Sequence, residues 1–420
     1  MSAVSESSRP VYYGWWVLGA GAITEMLAIG STSYAAGLFV LPLERELSLS
    51  RAAASSAIPI SFAGAAIMAP LVGYLLDRFS AQWVVAIGAL SLGLGFLSIA
   101  ATSSIPVMVL ALFLPVAFGG IAIGPLTTST LASRWFYKRR GRALGIAAVA
   151  TSGGGIVVVP LLSMAIDSYG WRTALASEAL LIVLTVIVLA FLVIRSGPEG
   201  DARAHPENSG RPVTDLPLGP FGDAGAGSAT RRYSEIFSSL NFWAIAFVLA
   251  TITGIDGALV VTLVPYGSGL GLTSAFSAFF ISTFSICAAV TKVASGFLAD
   301  VMERRLIMLA AAVAMMGALL ILLSSTSYAM LLAACCLAGT ALGCVLPSSA
   351  ALLAGCFGSA SFGRVMGAIY VAVVVSSIVS IRYAGTVFDS AGDYSGAFLT
   401  FLVLAVISAL AALIVRVPRS

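Results

Sequence analysis

Lys292 is one of only two lysines in the chain, and it stands inside a long apolar run. Glu25 and Asp256 stand inside two other apolar runs. An ammonium can bind an anion as a point charge, and a carboxylate can take up and release a proton. Because a charge at the centre of a membrane helix costs about 2.5–3.5 kcal/mol on insertion scales, such groups are usually paired or functional. These three residues are therefore the candidates for ligand binding and proton transfer.

Glu178 and Arg382 are also charged, but each lies nearer to the end of its apolar run. A long arginine side chain in such a position can extend to the aqueous surface. We expect structural roles for both residues.

The composition requires helices that face lipid. Of the 420 residues, 59% are hydrophobic and 10% are charged, whereas a soluble domain carries about 25% charged residues. The mean hydropathy is +1.03. A helix that spans a bilayer needs about 20 apolar residues. The chain contains twelve such runs, centred near Ile23, Phe62, Ala89, Phe113, Ile156, Ile182, Ala250, Ile286, Ala312, Cys336, Val374 and Ile407.

The twelve runs form two groups of six. We predict an all-α integral membrane protein of twelve transmembrane helices, with an N-terminal six-helix bundle at 1–195 and a C-terminal six-helix bundle at 237–420. The segment 196–236 between them is rich in Gly, Pro, Asp and Arg, which is typical of a flexible soluble linker.

Basic residues predict the orientation. If the N-terminus, the linker and the C-terminus share one side, that side holds 17 of the 22 Lys and Arg residues, and the other side holds Arg45, Arg51 and Arg172. The positive-inside bias then places both termini and the linker in the cytoplasm, and we expect an inner-membrane location. The net charge of +4 follows from this topology, and we expect no nucleic-acid partner.

The cysteine and histidine residues do not have the sequence spacing of metal ligands. The five cysteines lie in or beside apolar runs, and the single histidine, His205, lies in the linker. We expect no metal site and no cofactor. The cysteines are interpreted as small buried hydrophobic residues, and they imply nothing about disulfides. No nucleotide-binding loop or catalytic triad is visible, and the linker is short for a folded domain, so an enzyme is not expected.

A short motif occurs at matching places in the two halves. Gly73, Asp77 and Arg78 lie in "GYLLDR" after the second run, and Gly296 and Asp300 lie in "GFLAD" after the eighth. A glycine one turn before an aspartate lets a neighbouring helix approach, and the aspartate can then cap a helix or pair with an arginine. The repetition indicates an internal duplication, and we predict conformational roles for these residues.

Three segments carry a resemblance to a known family. They are "RWFYKRRGRALGIAAVATSGGGIVVVP" from Arg134, "YYGWWV" from Tyr12 and the seventh run from Asn241. Together with the repeat, they resemble the monocarboxylate transporters and the bacterial oxalate/formate exchangers of the major facilitator superfamily, over the whole chain. The resemblance implies two pseudo-symmetric six-helix bundles around a central cavity, and Arg142 in the first segment joins the predicted gating residues.

The resemblance also implies a role for Lys292. In "TKVASG" it stands where those carriers usually have arginine, so we predict that it anchors the substrate. Other family positions differ. Ala288 replaces the aspartate one turn earlier, Val373 replaces a second cation, and a helix 1 lysine is missing near Ser33 or Tyr34. One central cation favours a monoanion over a dicarboxylate.

We hypothesise that Lys292 pairs with Asp256 or Glu25 in the empty protein. An incoming carboxylate would take over the lysine, and the released acid would bind a proton. Tyr34, Tyr370 and Tyr266 are further candidates for contact with the substrate.

The predicted function is secondary transport of a small organic monocarboxylate together with a proton, by alternating access, in a monomer. An alternative is a carrier for a larger aromatic or heterocyclic nutrient. A drug exporter is a third option, although the fifth run lacks a convincing exporter signature. A receptor would bind ligand without flux.

Overall fold

The computed structural model describes residues 12–136, 140–197, 236–357 and 359–415. The first half of the chain contains α1 (Tyr13–Ile29), a π-helical segment (Gly30–Tyr34), α2 (Ala36–Leu47), α3 (Arg51–Ala54), α4 (Ala57–Arg78), α5 (Ala81–Ala101), α6 (Ile105–Ala111), a second π-helical segment (Leu112–Val116), α7 (Ala117–Ala122), α8 (Pro125–Trp135), α9 (Arg140–Tyr169) and α10 (Trp171–Leu192). The second half contains α11 (Leu240–Gly269), α12 (Ser274–Val301), α13 (Arg304–Ser324), α14 (Tyr328–Phe357), α15 (Ser359–Ala391) and α16 (Ser395–Ile414).

These helices build the twelve predicted spans. Within the described residues, eleven helical stretches are long and apolar enough to cross a membrane, and α1 with α2 forms a twelfth that is bent by 40°. The fourth span, Ile105–Trp135, is assembled from several helical pieces, with Pro115 inside its π-helical segment and Pro125 at the start of α8. Proline removes an intrahelical hydrogen bond, which accounts for the interruptions. The prediction of a twelve-helix fold is confirmed.

The π-helical segment of the first span (Gly30–Tyr34) and α9 touch backbone to backbone near the bend. A Cβ atom added to Gly154 would lie 2.5 Å from the Gly30 Cα atom, so only glycine allows this approach. The contact fixes the π-helical segment of the first span against α9, and π-helical turns of this kind occur often at functional sites.

The bundle has two ends, which we name after Asp77 and Arg51. The spans alternate in direction, so α4 runs from the Arg51 end to the Asp77 end. Arg78 and Arg134 lie at the Asp77 end, whereas Arg172 lies at the Arg51 end. These three described arginines lie on the sides that the sequence predicts for them. Which end faces the cytoplasm remains a prediction.

The buried apolar residues form two clusters. One is built from residues between 17 and 194. The other is built mainly from residues between 236 and 415, with additions such as Tyr34, Leu38 and Ile58 from the first half. The domain boundaries stay a prediction, because most of the linker lies outside the described residues.

Candidate functional site

Lys292 is half-buried on α12, and its ammonium faces α9. Its Nζ atom donates to Thr151 Oγ1 at 2.6 Å, to Ser152 Oγ at 2.9 Å and to the Ala148 carbonyl oxygen at 3.2 Å. The three acceptors occupy positions i, i+3 and i+4 on α9, which share one face of a helix. The ammonium therefore bridges the two halves of the chain.

Asp256 and Glu25 lie close enough to Lys292 to interact with it electrostatically, and the interaction with Asp256 is the larger. Neither of them is an ion-pair partner of Lys292 in the described structure. The expected ion pair of the empty protein is therefore wrong for this conformation. The physical reason is that α9 supplies three oxygen acceptors closer to the ammonium than either carboxylate.

Each of these carboxylates keeps one buried oxygen without a hydrogen-bond partner in the described part of the chain. The atoms are Asp256 Oδ1 and Glu25 Oε2. Glu25 is 1% exposed, and the hydroxyl of Thr128 lies beside it. A buried oxygen that lacks a donor is costly for a charged carboxylate, and a proton or a ligand donor would relieve that cost.

The three predicted tyrosines lie in different surroundings. Tyr34 is buried in the π-helical segment, beside the hydroxyls of Ser152 and Ser285, and its ring centroid lies 6.4 Å from that of Phe284. Tyr34 therefore borders the residues that hold Lys292. Tyr370 is 62% exposed on α15, and no hydrogen bond joins it to another described residue.

Tyr266 is half-buried on α11, and its contacts are packing contacts. Its hydroxyl donates to the Leu322 carbonyl at 3.3 Å, and its ring meets those of Tyr394 and Phe398. The structure does not bring Tyr266 into contact with Lys292.

The Arg51 end carries a network between the halves that we call the Arg51 lock. Asp389 on α15 accepts from the backbone amides of Arg51 at 2.6 Å and Ala52 at 3.0 Å. The Arg51 guanidinium lies 4.0 Å over the Phe388 ring, donates to the Tyr394 hydroxyl at 3.0 Å and pairs with Glu44 at 2.9 Å. Arg51 is only 6% exposed. A charge buried this deeply needs all of these partners.

Arg382 adds one further bond between the halves near this end. Its Nη1 atom donates to Ser56 Oγ at 2.8 Å. The sequence predicts that this side chain extends to water, whereas its described partner is a side chain of the other half; the structural role stays a prediction.

The motif residues at the Asp77 end are only partly described. Asp77 accepts from Arg134 on α8 at 3.1 Å, and Arg78 donates to the Tyr74 hydroxyl at 2.9 Å. A Cβ on Gly73 would meet nothing within 4 Å, so the expected close helix approach is absent at this glycine in this conformation. The side chains at Gly296, Asp300 and Arg142 lie outside the described residues.

The described hydrogen bonds between the halves have a clear distribution. They lie at the Arg51 end or in the middle of the bundle, where Ser282 also donates to the Gly155 carbonyl at 3.2 Å. Among the described residues, none joins the halves at the Asp77 end. The halves are therefore closed at the Arg51 end in this conformation.

Glu178 is buried against the first span. Its Oε1 atom lies 2.6 Å from Ser31 Oγ, which also lies 2.8 Å from the Leu27 carbonyl oxygen. A serine hydroxyl has one hydrogen and two lone pairs. Both contacts are satisfied at once if the carboxyl group carries a proton and donates to Ser31, which then donates to Leu27.

A stability difference between two Glu178 variants tests this arrangement. E178Q can still donate to Ser31, so its thermal unfolding in detergent should match that of the wild type. E178A removes the partner and leaves a cavity, and a loss of about 1–3 kcal/mol is expected. Equal midpoints for the two variants would contradict the assignment.

Sequence reasoning missed the oxygen acceptors on α9 and the Arg51 lock. Thr151 and Ser152 stand in "VATSGGG", next to the glycines that permit close helix contact. Hydroxyl residues beside such glycines were the available signal for the first group. Asp389 and Arg51 are 338 residues apart, and no local pattern connects them.

The amino-acid sequence is similar to those of known transporters. The chain is 26% identical to the oxalate:formate antiporter of Oxalobacter formigenes over 285 residues, which cover 67% of this chain and 63% of the antiporter. It is 27% identical to monocarboxylate transporter 11 of Mus musculus over 402 residues, which cover 92% of this chain and 84% of that protein.

A solved structure confirms the architecture. The crystal structure of a bacterial homologue of the human lysosomal transporter Spinster, in an inward-facing and occupied conformation, superposes with a TM-score of 0.74 at 15% identity and covers 97% of each chain. The family model of the Major Facilitator Superfamily matches residues 21–283 and 246–420. The chain therefore belongs to the Major Facilitator Superfamily, a family of membrane transporters.

Proposed function

We propose that this protein moves a small organic monocarboxylate across the inner membrane together with a proton, by alternating access. The observation that carries the proposal is the placement of Lys292, a single ammonium at the contact between the halves, within electrostatic reach of Asp256 and Glu25. The names of the oxalate:formate antiporter and of monocarboxylate transporter 11 support carboxylate substrates.

The charges at the site support proton coupling. One ammonium and two ionised carboxylates would give the site a net charge of −1, which repels an anion. A proton on Asp256 or Glu25 removes one negative charge, and the substrate can then bind to Lys292. Charges away from bulk water interact more strongly than charges in it, so the loss of one negative charge weakens the repulsion of an incoming anion. Anion and proton would therefore bind together.

The sidedness follows from the same proposal. With the basic Asp77 end in the cytoplasm, a conformation that is closed at the Arg51 end faces inward. The two six-helix bundles, 1–195 and 237–420, would rock about the contact between α9 and α12. Gly73, Asp77 and Arg78, with Gly296, Asp300 and Arg142, would act at the cytoplasmic end when the Arg51 end opens.

A second candidate substrate class is an aromatic acid or a heterocycle. The specific observation is the pair of Tyr34 and Phe284, because Tyr34 also lies beside Ser152, which holds Lys292. An aromatic ring can stack on such side chains while its carboxylate binds the ammonium.

Ligand-dependent thermal stability tests the proposed function. Purified wild type and K292A would be heated at pH 5.5 and pH 7.5 with short monocarboxylates, aromatic acids and neutral heterocycles. We expect monocarboxylates to stabilise the wild type more strongly at pH 5.5, because the required proton is then available, and to leave K292A unchanged. K292R is the matched control, since it keeps the charge. Stabilisation by a neutral heterocycle that persists in K292A would favour the second candidate class.

A further inference from the structure

We infer that the ammonium of Lys292 is a tether between the two halves, and that the substrate carboxylate has to break it in order to bind. Thr151 and Ser152 set the strength of this tether. The inference rests on the proposed function only for the identity of the group that breaks the tether. The tether itself is a property of the empty protein.

The hydrogen-bond capacity of lysine requires an exchange. An ammonium has three N–H donors and no acceptor. All three can be used by the oxygens of Ala148, Thr151 and Ser152. No N–H remains for an incoming carboxylate, so at least one bond to α9 has to be given up when a carboxylate binds.

The hydroxyl groups are oriented for this contact. Thr151 Oγ1 donates its own hydrogen to the Ala148 carbonyl at 2.7 Å, which leaves its lone pairs for the ammonium. Ser152 is fully buried, so water does not compete for its oxygen. Hydrogen bonds with a charged donor are stronger than those between neutral groups. Thr151 and Ser152 are therefore positioning residues that act through Lys292.

The tether lies within the contact between α9 and α12, along which the two halves meet. The contact between α9 and α12 begins towards the Arg51 end, where Ser282 meets Gly155. Among the described residues, the hydrogen bonds of Lys292 are those nearest to the Asp77 end that join the two halves. Breaking them removes a described restraint on the movement of α12 against α9. Binding of the anion would thus be linked to the movement of the halves.

Labelling of the empty protein tests the tether without any substrate. Ser56 is 8% exposed and bonded to Arg382 of the other half, so S56C, a near-isosteric change, reports the opening of the Arg51 end. The rate of its reaction with a membrane-impermeant maleimide would be measured by mass spectrometry. S56C alone would be compared with S56C chains that carry further changes. These are the double variant T151A/S152A, each of its two changes alone, K292A and S163A. Ser163 is a matched control, because it is a buried serine on α9 whose oxygen has no described partner.

We expect the double variant and K292A to label several-fold faster than S56C alone, and S163A to label at the unchanged rate. The S56C chain carrying T151S keeps the hydroxyl oxygen at position 151, so it should label as slowly as S56C alone. If K292A labels faster than S163A but the double variant does not, the roles of Thr151 and Ser152 are overturned. Unchanged labelling in K292A as well would overturn the tether altogether.

Binding of probe anions separates the tether from the proposed function. With acetate, lactate and benzoate as probes, the double variant should bind about 5–10-fold more tightly than the wild type, because its ammonium has free donors. K292A should not bind the probes. If K292A binds them like the wild type, the proposed anion site is wrong, yet the labelling result still decides whether the tether exists. Weaker binding by the double variant would contradict the exchange.

Discussion

Replacing Lys292 with alanine is expected to lower the rate of monocarboxylate transport in proteoliposomes by about 100-fold or more. Truncating one member of a buried, hydrogen-bonded charge pair costs about 2–5 kcal/mol, and each 1.4 kcal/mol is a factor of ten in affinity. The variant also leaves Asp256 and Glu25 without their cation, so the site repels anions more strongly. Both proton-driven uptake and exchange across the membrane should be lost.

Asp256→Asn separates proton coupling from anion binding. Asp256 has the larger electrostatic interaction with Lys292, and the amide keeps its shape without taking up a proton. We expect proton-driven accumulation to fall at least about tenfold, while exchange of labelled for unlabelled substrate continues. Accumulation would be measured with an imposed pH gradient, and exchange without one.

Two controls define this result. S163A changes a buried serine on α9 away from the ammonium and should transport like the wild type. Glu25→Gln should have a smaller effect than Asp256→Asn, because the interaction of Glu25 with Lys292 is the weaker one. Full accumulation by both Asp256→Asn and Glu25→Gln would rule out these carboxylates as the proton-coupling groups.

Asp389→Ala is expected to open the Arg51 end. The change removes two hydrogen bonds to the backbone amides of Arg51 and Ala52. A hydrogen bond to a charged group contributes about 1.5–3 kcal/mol, so the loss of both amounts to about 3 kcal/mol or more. A change of that size shifts the equilibrium between the closed and the open conformation by about 100-fold.

Distances between spin labels measure this shift. Labels at the exposed Ser104 and Thr326 lie on the two halves at the Arg51 end. Their separation should increase in Asp389→Ala, and uptake should slow because the closed conformation is rarely populated. Asp393→Ala is the matched control. Within the described part of the chain, Asp393 accepts from the Ser395 amide of its own half, at 2.9 Å. Equal distance distributions in the two variants would show that Asp389 does not hold the lock closed.

The residues of the candidate site and those of the Arg51 lock differ in how well they could be predicted from the sequence. Lys292, Glu25 and Asp256 are visible because a charge inside an apolar run is costly and therefore rare. The expected ion pair of Lys292 with one of these carboxylates is not formed in this conformation, because the direction of a side chain depends on the helix it faces. The Arg51 lock was not visible at all, since its members lie near helix ends, where charged residues are common and carry no signal by themselves.

By itself, the sequence determined the twelve spans, their grouping in two halves and the candidate ionisable residues. These features depend on the energy of burying apolar and charged groups in lipid, which each segment shows locally. Only the tertiary structure decided which oxygens hold the ammonium and which end of the bundle is closed. Those outcomes depend on backbone approach at glycines such as Gly154 and on contacts between residues far apart in the chain, which local hydropathy does not encode.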